Sequence, residues 1–218
     1  MKIKPGRVGL TTVVLAALVG CGARASEGSE DSTKTEQAST ASPSEVPSPA
    51  QARLSPQALQ SQWWTWAMSE PGRTNPVADE DGSECGRNQP QDVWFLAGTF
   101  GTQAKRTCSV PNGVPLAFPL VNLIASPADC AAFMKPARGS AVLDGKRVDS
   151  ETIAGVTITA RGVAGNPVTG TDGRFSATGC GLWVQLPPLQ PGQHTLTIRG
   201  QSADFSLGVD YSLTVDAG

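Results

Sequence analysis

An unbroken alternation of apolar and polar residues near the C-terminus constrains the fold of this chain more than any other feature. Between Phe205 and Asp216 every odd position is apolar and every even position is polar or glycine. A period of two over this length is typical of a half-buried antiparallel β-strand with one solvated face. The buried set would be Phe205, Leu207, Val209, Tyr211, Leu213 and Val215.

Shorter runs with the same period precede this strand, and turn residues separate them. Leu196 and Ile198 alternate with polar residues, as do the apolar residues of 156–160 and 182–186. Asp144-Gly145 has the composition of a tight hairpin turn. The 24 Gly and 17 Pro among 218 residues also favour strands and turns. We therefore predict a mainly antiparallel β-sandwich, immunoglobulin-like or jelly-roll-like.

Two short helices are predicted beside the strands. Ser55 is suited to cap a helix that Pro56 begins and Pro71-Gly72 ends. A further short helix should follow Ser126-Pro127 and end before Pro136.

The N-terminus has the pattern of an export signal. Three cations within the first seven residues precede an uncharged, mostly apolar stretch at 8–20. The tetrapeptide Leu18-Val19-Gly20-Cys21 resembles the lipobox of bacterial lipoproteins. We therefore predict that residues 1–20 are a lipoprotein signal peptide. Cys21 would carry acyl chains, palmitate among them, that anchor the protein to the bacterial cell membrane with its domain on the extracytoplasmic side.

A second interpretation of the N-terminus stays open. Ala23-Arg24-Ala25 also resembles a cleavage site, and cleavage there would release a soluble chain that starts at Ser26. In either case residues 21–53 contain a single large aliphatic residue, Val46, and should form a disordered tether. Residues 54–218 would form one domain.

Charge and histidine content exclude two classes of function. The chain carries 17 Lys and Arg against 19 Asp and Glu, so it lacks the basic surface of a nucleic-acid-binding protein. The single histidine, His194, excludes any metal centre that needs two imidazoles. We predict neither a cofactor nor a metal.

Four cysteines lie in the predicted domain, and in an oxidising compartment they should form two disulfides. Segments 92–100 and 105–110 have the pattern of a hairpin, which would bring Cys108 near Cys85. The other pairings stay open, and a four-cysteine metal site lacks any C-x₂-C spacing. The favoured pairs are Cys85–Cys108 and, by elimination, Cys130–Cys180.

Three motifs carry a resemblance. They are W-W-T-W at 63–66, V-W-F-L-A-G at 93–98 with R-T-C-S-V-P at 106–111, and F-P-L-V-N at 118–122. Together they resemble secreted bacterial proteins and lipoproteins of unassigned function. The resemblance covers most of 54–218 and implies a shared domain. It supplies no catalytic residue.

Tryptophans of the first helix are the candidates for ligand contact, because exposed indoles stack on sugar rings or anchor protein interfaces. Trp63 and Trp66 share a helical face with Leu59, so we expect them in the core. Trp64 points away from that face. We predict that it is exposed and is the possible ligand contact.

An acidic segment and the lone histidine are weaker candidates. Residues 79–84 contain four carboxylates that could bind Ca²⁺, but their spacing departs from the EF-hand pattern, so we expect a solvated loop. His194 shares a strand face with Leu196, and we expect it to be structural.

Two further polar residues need partners. Asn122 shares a predicted strand face with Phe118, where a buried amide must be hydrogen-bonded or line a pocket. Arg106 could pair with Asp92 across the predicted hairpin.

These observations favour a lipid-anchored extracytoplasmic binding or interaction module. Its partner would be a carbohydrate or an envelope protein. The alternative is an envelope hydrolase that uses a pair of carboxylates. No G-x-S-x-G motif is present, and we assign no catalytic, cofactor-binding or metal-ligating residue.

Overall fold

The computed structural model describes residues 53–217. The predicted signal peptide, Cys21 and all but the last residue of the predicted tether lie outside the described residues. The described part is mainly β, with two sheets and two helices, so the predicted β-sandwich is confirmed.

Both predicted helices are present, and both begin at a proline that follows a serine cap. Helix α1 is Pro56–Ala67, and the Ser55 hydroxyl accepts a hydrogen bond from the Ala58 amide at 3.3 Å. Helix α2 is Pro127–Met134, and the Ser126 hydroxyl accepts from the Asp129 amide at 3.2 Å. These caps satisfy amides that have no partner within the helix.

Nine strands form two sheets. The inner sheet has the order β1-β3-β7-β6, and the outer sheet has the order β2-β9-β8-β4-β5. Neighbouring strands are antiparallel, except that β1 is parallel to β3 and β2 is parallel to β9. The strands are β1 Trp94–Phe95, β2 Gln103–Val110, β3 Leu116–Ala125, β4 Arg138–Leu143, β5 Lys146–Val148, β6 Glu151–Gly162, β7 Gly173–Leu186, β8 Gly192–Ser202 and β9 Phe205–Val215.

The inner sheet is covered on both faces, by α1 on one side and by the outer sheet on the other. One core lies between the two sheets and includes Phe118, Val184 and Leu196. A second core lies between α1 and the inner sheet and includes Leu59 and Trp183. The predicted alternation of β9 is confirmed, because its odd residues from 207 to 215 are buried in the first core.

The turn at Asp144-Gly145 joins β4 to β5, as predicted. Both residues have positive φ, 49° and 76°. That conformation is the one required by a two-residue hairpin turn, and it favours an Asp-Gly sequence.

The predicted hairpin between segments 92–100 and 105–110 is wrong. Strand β1 pairs with β3 in the inner sheet, whereas β2 pairs with β9 in the outer sheet. The chain therefore crosses from one sheet to the other between these strands. Local apolar patterning could not reveal this, because both partner strands follow later in the sequence.

Cys85 reaches Cys108 by another route. The loop at 75–88 lies along the free edge of β2, and the Asp81 carbonyl accepts from the Thr107 amide at 2.8 Å. The loop thereby covers a strand edge that would otherwise be exposed to pairing with another chain.

The structure contains two disulfides, and they are the pairs that the sequence favours. Cys85 is joined to Cys108 and Cys130 to Cys180, each with a Cα–Cα distance of 5.9 Å. Two disulfides indicate an oxidising, extracytoplasmic environment. None of the helices within residues 53–217 is long and apolar enough to cross a membrane.

Arg106 is a buried cation at the junction of β2, β9 and two connecting segments. Its side chain is 2% exposed. The guanidinium donates to the carbonyls of Val77 and Asp79 at 3.0 and 2.8 Å, and to those of Ala97 and Gly98 at 2.9 and 3.1 Å. It thus ties the loop at 75–88 to the segment between β1 and β2.

Tyr211 completes this arrangement from β9. Its hydroxyl accepts from Arg106 Nη1 at 2.9 Å and donates to the Ala97 carbonyl at 2.8 Å. The predicted pairing of Arg106 with Asp92 is wrong, because Arg106 shares the inward face of β2 with Cys108. Its guanidinium donates hydrogen bonds to carbonyl and hydroxyl oxygens and not to a carboxylate.

Replacement of Arg106 should strongly destabilise the fold. Arg106→Met would leave several buried oxygens without donors, and we expect a loss of at least about 3 kcal/mol in the free energy of unfolding. Arg174→Met, at an exposed position of β7, should change it by no more than about 0.5 kcal/mol. Urea denaturation of both variants measures the difference, and equal losses would contradict this role of Arg106.

Candidate functional site

The outer face, defined as the side of the outer sheet that points away from the core, is polar and solvent-exposed. Strand register places its side chains in rows across the sheet. In one row Lys105, Asp210 and Thr197 lie on neighbouring strands. The row continues through Val142 to Arg147 on β5.

The next two rows add the remaining arginines. Arg199 lies opposite Ser140, and Arg138 lies opposite Gln201. We call Arg138, Arg147 and Arg199 the arginine end of the outer face. At the opposite end, β2, β8 and β9 carry only uncharged polar side chains on this face. These side chains are Thr107, Ser109, Gln193, Thr195, Ser212 and Thr214.

An open groove of about 480 Å³ lies at the arginine end. The backbones of Gly139 and Gly200 belong to its floor. Its polar lining is Arg138, Ser140, Arg147, Arg199, Gln201 and Ser206.

The three arginines differ in how they are held. Arg199 Nη2 donates to Asp210 Oδ1 at 2.7 Å, and this hydrogen bond holds the pKa of Asp210 below its usual value. Arg138 Nε lies 3.1 Å from the Gln201 side-chain oxygen when that amide is oriented to accept. The side chain of Arg147 makes no hydrogen bond or ion pair with any residue between 53 and 217. Its guanidinium is therefore available for a ligand.

His194 forms a separate polar contact at the edge of the sheet. Its Nδ1 lies 2.6 Å from Asp144 Oδ2, and its Nε2 lies 2.8 Å from the Gln190 carbonyl. Because both ring nitrogens face acceptors, the protonated ring is favoured. The hydrogen bond to Asp144 raises the pKa of His194, and the same hydrogen bond lowers the pKa of Asp144.

This histidine does not have the geometry of a catalytic base. A serine- or cysteine-based triad needs a nucleophile at the nitrogen that does not face the carboxylate. That nitrogen faces the Gln190 carbonyl instead. The contact joins the Asp144 turn to the start of β8, as a structural histidine does.

The predicted exposure of Trp64 is wrong, because the side chain is only 7% exposed. Trp63 and Trp66 are also buried, as predicted, and their indole nitrogens donate to the carbonyls of Leu96 and Arg87 at 3.0 and 2.9 Å. The buried arc of α1 is wider than its apolar stripe, because it includes Gln60, whose Nε2 donates to Gly179 of β7 at 3.1 Å. Trp64 follows Gln60 by four residues and lies on the same side of the helix.

The acidic segment 79–84 folds around its own carboxylates. Asp79 is 8% exposed, and its side-chain oxygens accept from the amides of Gly82 and Glu84 at 2.9 and 3.2 Å. Asp81 accepts from the Ser83 amide at 2.9 Å, and such hydrogen bonds lower its pKa. Within residues 53–217 no three His, Cys, Asp or Glu side chains are grouped closely enough to hold a metal ion.

Asn122 lies on a different face from the one predicted. The register of β3 against β7 shifts between Pro119 and Val121. This bulge inserts one residue, so Asn122 shares the face of Gly181 and Trp183 rather than that of Phe118. Its Nδ2 is buried and has no hydrogen-bond partner among the described residues.

Phe100 is an exposed aromatic residue that sequence reasoning missed. Its side chain is 48% exposed. The next residue, Gly101, is close to the groove, because a Cβ placed there would lie 3.8 Å from the backbone oxygen of Ser206.

The arginine end was also missed, although each strand that carries it has a visible signal. Arg199 occupies a polar position of an alternating strand, and Arg147 follows the Asp-Gly turn. Their convergence depends on the order β8-β4-β5 in the sheet. That order comes from pairing that local sequence does not specify.

No protein-family model, curated protein or solved structure matches this chain. The resemblance to secreted bacterial lipoproteins stays a prediction, and the site must be interpreted from its own chemistry.

Truncation of Trp64 should destabilise the domain, since its side chain is part of the core under α1. We expect Trp64→Ala to lower the free energy of unfolding by about 3–5 kcal/mol. Gln57→Ala, on the exposed side of the same helix, should have little effect. Thermal denaturation of the two variants measures this, and similar melting temperatures would show that Trp64 lies outside the core.

The contact between His194 and Asp144 predicts a pH-dependent contribution to stability. Because folding raises the pKa of His194, its contribution is complete below about pH 6.5 and is lost as pH rises through the folded pKa. His194→Gln should therefore destabilise the protein more at about pH 5.5 than at about pH 9, by at most about 1 kcal/mol. Urea denaturation at both pH values measures the difference, and an equal loss at both would contradict it.

Proposed function

We propose that this protein is a lipid-anchored extracytoplasmic binding module, and that its ligand binds in the groove on the outer face. The observation that carries this proposal is the groove, which is lined by guanidinium, amide and hydroxyl groups from four strands. The partner class inferred from the sequence, a carbohydrate or an envelope protein, is retained. The proposed ligand contact is now the arginine end instead of Trp64.

Two features support binding over catalysis at this face. Strands hold the groove residues, so the site is rigid and preformed. Asp210 is the one carboxylate that the strands of the outer sheet carry on the outer face, and it is paired with Arg199. The rival hydrolase needs two carboxylates about 5–10 Å apart, and the groove is lined by none.

Location supports the same proposal. The two disulfides fit an extracytoplasmic domain, and the lipobox at Cys21 fits attachment to the membrane. A flexible tether of about 30 residues spans on the order of 30 Å root-mean-square. The domain would then reach envelope polymers while it stays on the cell surface.

Steric blockage of the groove tests the proposed face. Ser206→Trp places a bulky neutral side chain in the groove at an exposed strand position. This variant and its control are made in a Cys21→Ser background, so that the proposed acyl anchor does not itself hold the protein on membranes. We expect Ser206→Trp to lose most of its retention by isolated bacterial envelopes in a sedimentation assay. Thr159→Trp, at an exposed position of β6 in the inner sheet, is the matched control and should sediment like the parent protein. Equal retention of both variants would show that the groove is not the binding site.

Substitution of Cys21 tests the anchor. Cys21→Ser removes the acceptor of the acyl chains, so the protein should leave the membrane fraction or accumulate as a precursor, with no labelled palmitate. If the variant instead fractionates and labels like the parent, the lipid anchor is refuted and cleavage after Ala25 becomes the better interpretation.

A further inference from the structure

We infer that the groove takes an anionic glycan, a polysaccharide whose repeating carboxylate or phosphate groups are bound by Arg138, Arg147 and Arg199. This inference rests on the proposed function and adds the chemical class of the ligand. It assigns the charged groups of the glycan to the arginines and a sugar ring to Phe100.

The arginine end is positively charged, whereas the domain as a whole has a net negative charge. Residues 54–218 contain 11 Lys and Arg against 14 Asp and Glu, yet the groove is lined by three arginines and no carboxylate. Guanidinium groups bind carboxylates and phosphates through paired hydrogen bonds, which are stronger than those between neutral groups. A cluster of this kind in an acidic domain favours an anionic ligand.

The spacing of the arginines suits several anions on one extended chain. Arg138 and Arg199 are diagonal neighbours on β4 and β8, with backbones about 7–8 Å apart. Arg147 lies two strands from Arg199 and one row along, which places their backbones roughly 12 Å apart. Arginines spaced along and across the strands in this way match the repeated charges of an extended polymer.

The remaining groove surface is typical of carbohydrate recognition. Ser140, Gln201 and Ser206 offer hydroxyl and amide groups, which pair with sugar hydroxyls. Phe100 is exposed and precedes Gly101, which lies near the Ser206 backbone, so its ring offers an aromatic surface close to the groove residues. A protein partner would favour a central cluster of apolar anchors, whereas Leu207 is the one large apolar residue among those that line this groove.

Binding of defined polymers by the purified full-length protein tests the inference. The probes are polygalacturonate, which repeats carboxylates, and phosphomannan, a mannose polymer that repeats phosphates. Dextran is the neutral control, polyglutamate is an acidic peptide, and phosphatidylglycerol vesicles present an anionic membrane. We expect binding to at least one anionic polymer of the first pair, weakened as salt rises from about 50 to 300 mM. The two polymers distinguish the carboxylate from the phosphate.

A charge-matched pair of variants assigns the binding to the groove. Arg138→Gln, Arg147→Gln and Arg199→Gln combined should weaken the affinity at least about tenfold. The control combines Arg73→Gln, Arg161→Gln and Arg174→Gln, three exposed arginines outside the outer sheet, and should retain affinity within about twofold. If the combined groove variant fails to fold, Arg147→Glu alone serves, because Arg147 has no partner among residues 53–217. It should lower the affinity by about fivefold or more.

The outcomes separate this inference from the proposed function. Equal losses in the two triple variants, or binding only to polyglutamate or vesicles, would overturn the anionic glycan. Blockage of envelope retention by Ser206→Trp would still support the groove in either case. Phe100→Ala should weaken binding to polygalacturonate or phosphomannan about threefold or more, and no change would remove Phe100 from the site.

Discussion

The buried guanidinium of Arg106 is the interaction on which the arrangement of this domain depends. It donates to carbonyls from two segments, near Val77 and near Ala97, that belong to neither sheet of the sandwich at those points. Through Tyr211 it also reaches β9, the strand next to β2 in the outer sheet. Because each donor finds an oxygen, a cation with no neighbouring carboxylate can be buried without an unsatisfied hydrogen bond. The two segments are thereby held against the edge of the sandwich.

That arrangement leaves the outer sheet free on one side. The inner sheet lies between α1 and the outer sheet, and the Cys85–Cys108 disulfide holds a loop against the edge strand β2. The outer face is thus presented by a rigid scaffold, and neither helix within residues 53–217 lies over it. Its arginine end then follows from strand order, because β8, β4 and β5 each contribute one guanidinium. A site built this way is preformed, as a binding module requires.

Local patterns predicted most elements of the fold but not their long-range partners. The alternation in β9, the serine caps of both helices and the Asp144-Gly145 turn depend on neighbouring residues, so they could be predicted from sequence. The separation of β1 from β2 depends on strands that follow much later, and the predicted hairpin failed for that reason. The sequence suggested that Arg106 could pair with a carboxylate such as Asp92. Nothing near Arg106 in sequence indicates that carbonyls from distant segments would accept its hydrogen bonds. Because Gln60 is polar, the sequence did not indicate that its side of α1 is buried. Trp64 lies on that side, and its exposure was therefore predicted wrongly.

The candidate site was the least predictable part, because it consists of polar positions that each seem ordinary in their own strand. Its ligand is therefore best located by residue-level mapping. Backbone amide NMR of the full-length protein, titrated with polygalacturonate or phosphomannan, measures where an anionic glycan binds. We predict that the largest chemical-shift changes fall on Ser140, Arg199 and Gln201, with little change in α1. Changes centred on α1 or on residues 79–84, or no change with either polymer, would contradict a glycan site on the outer face.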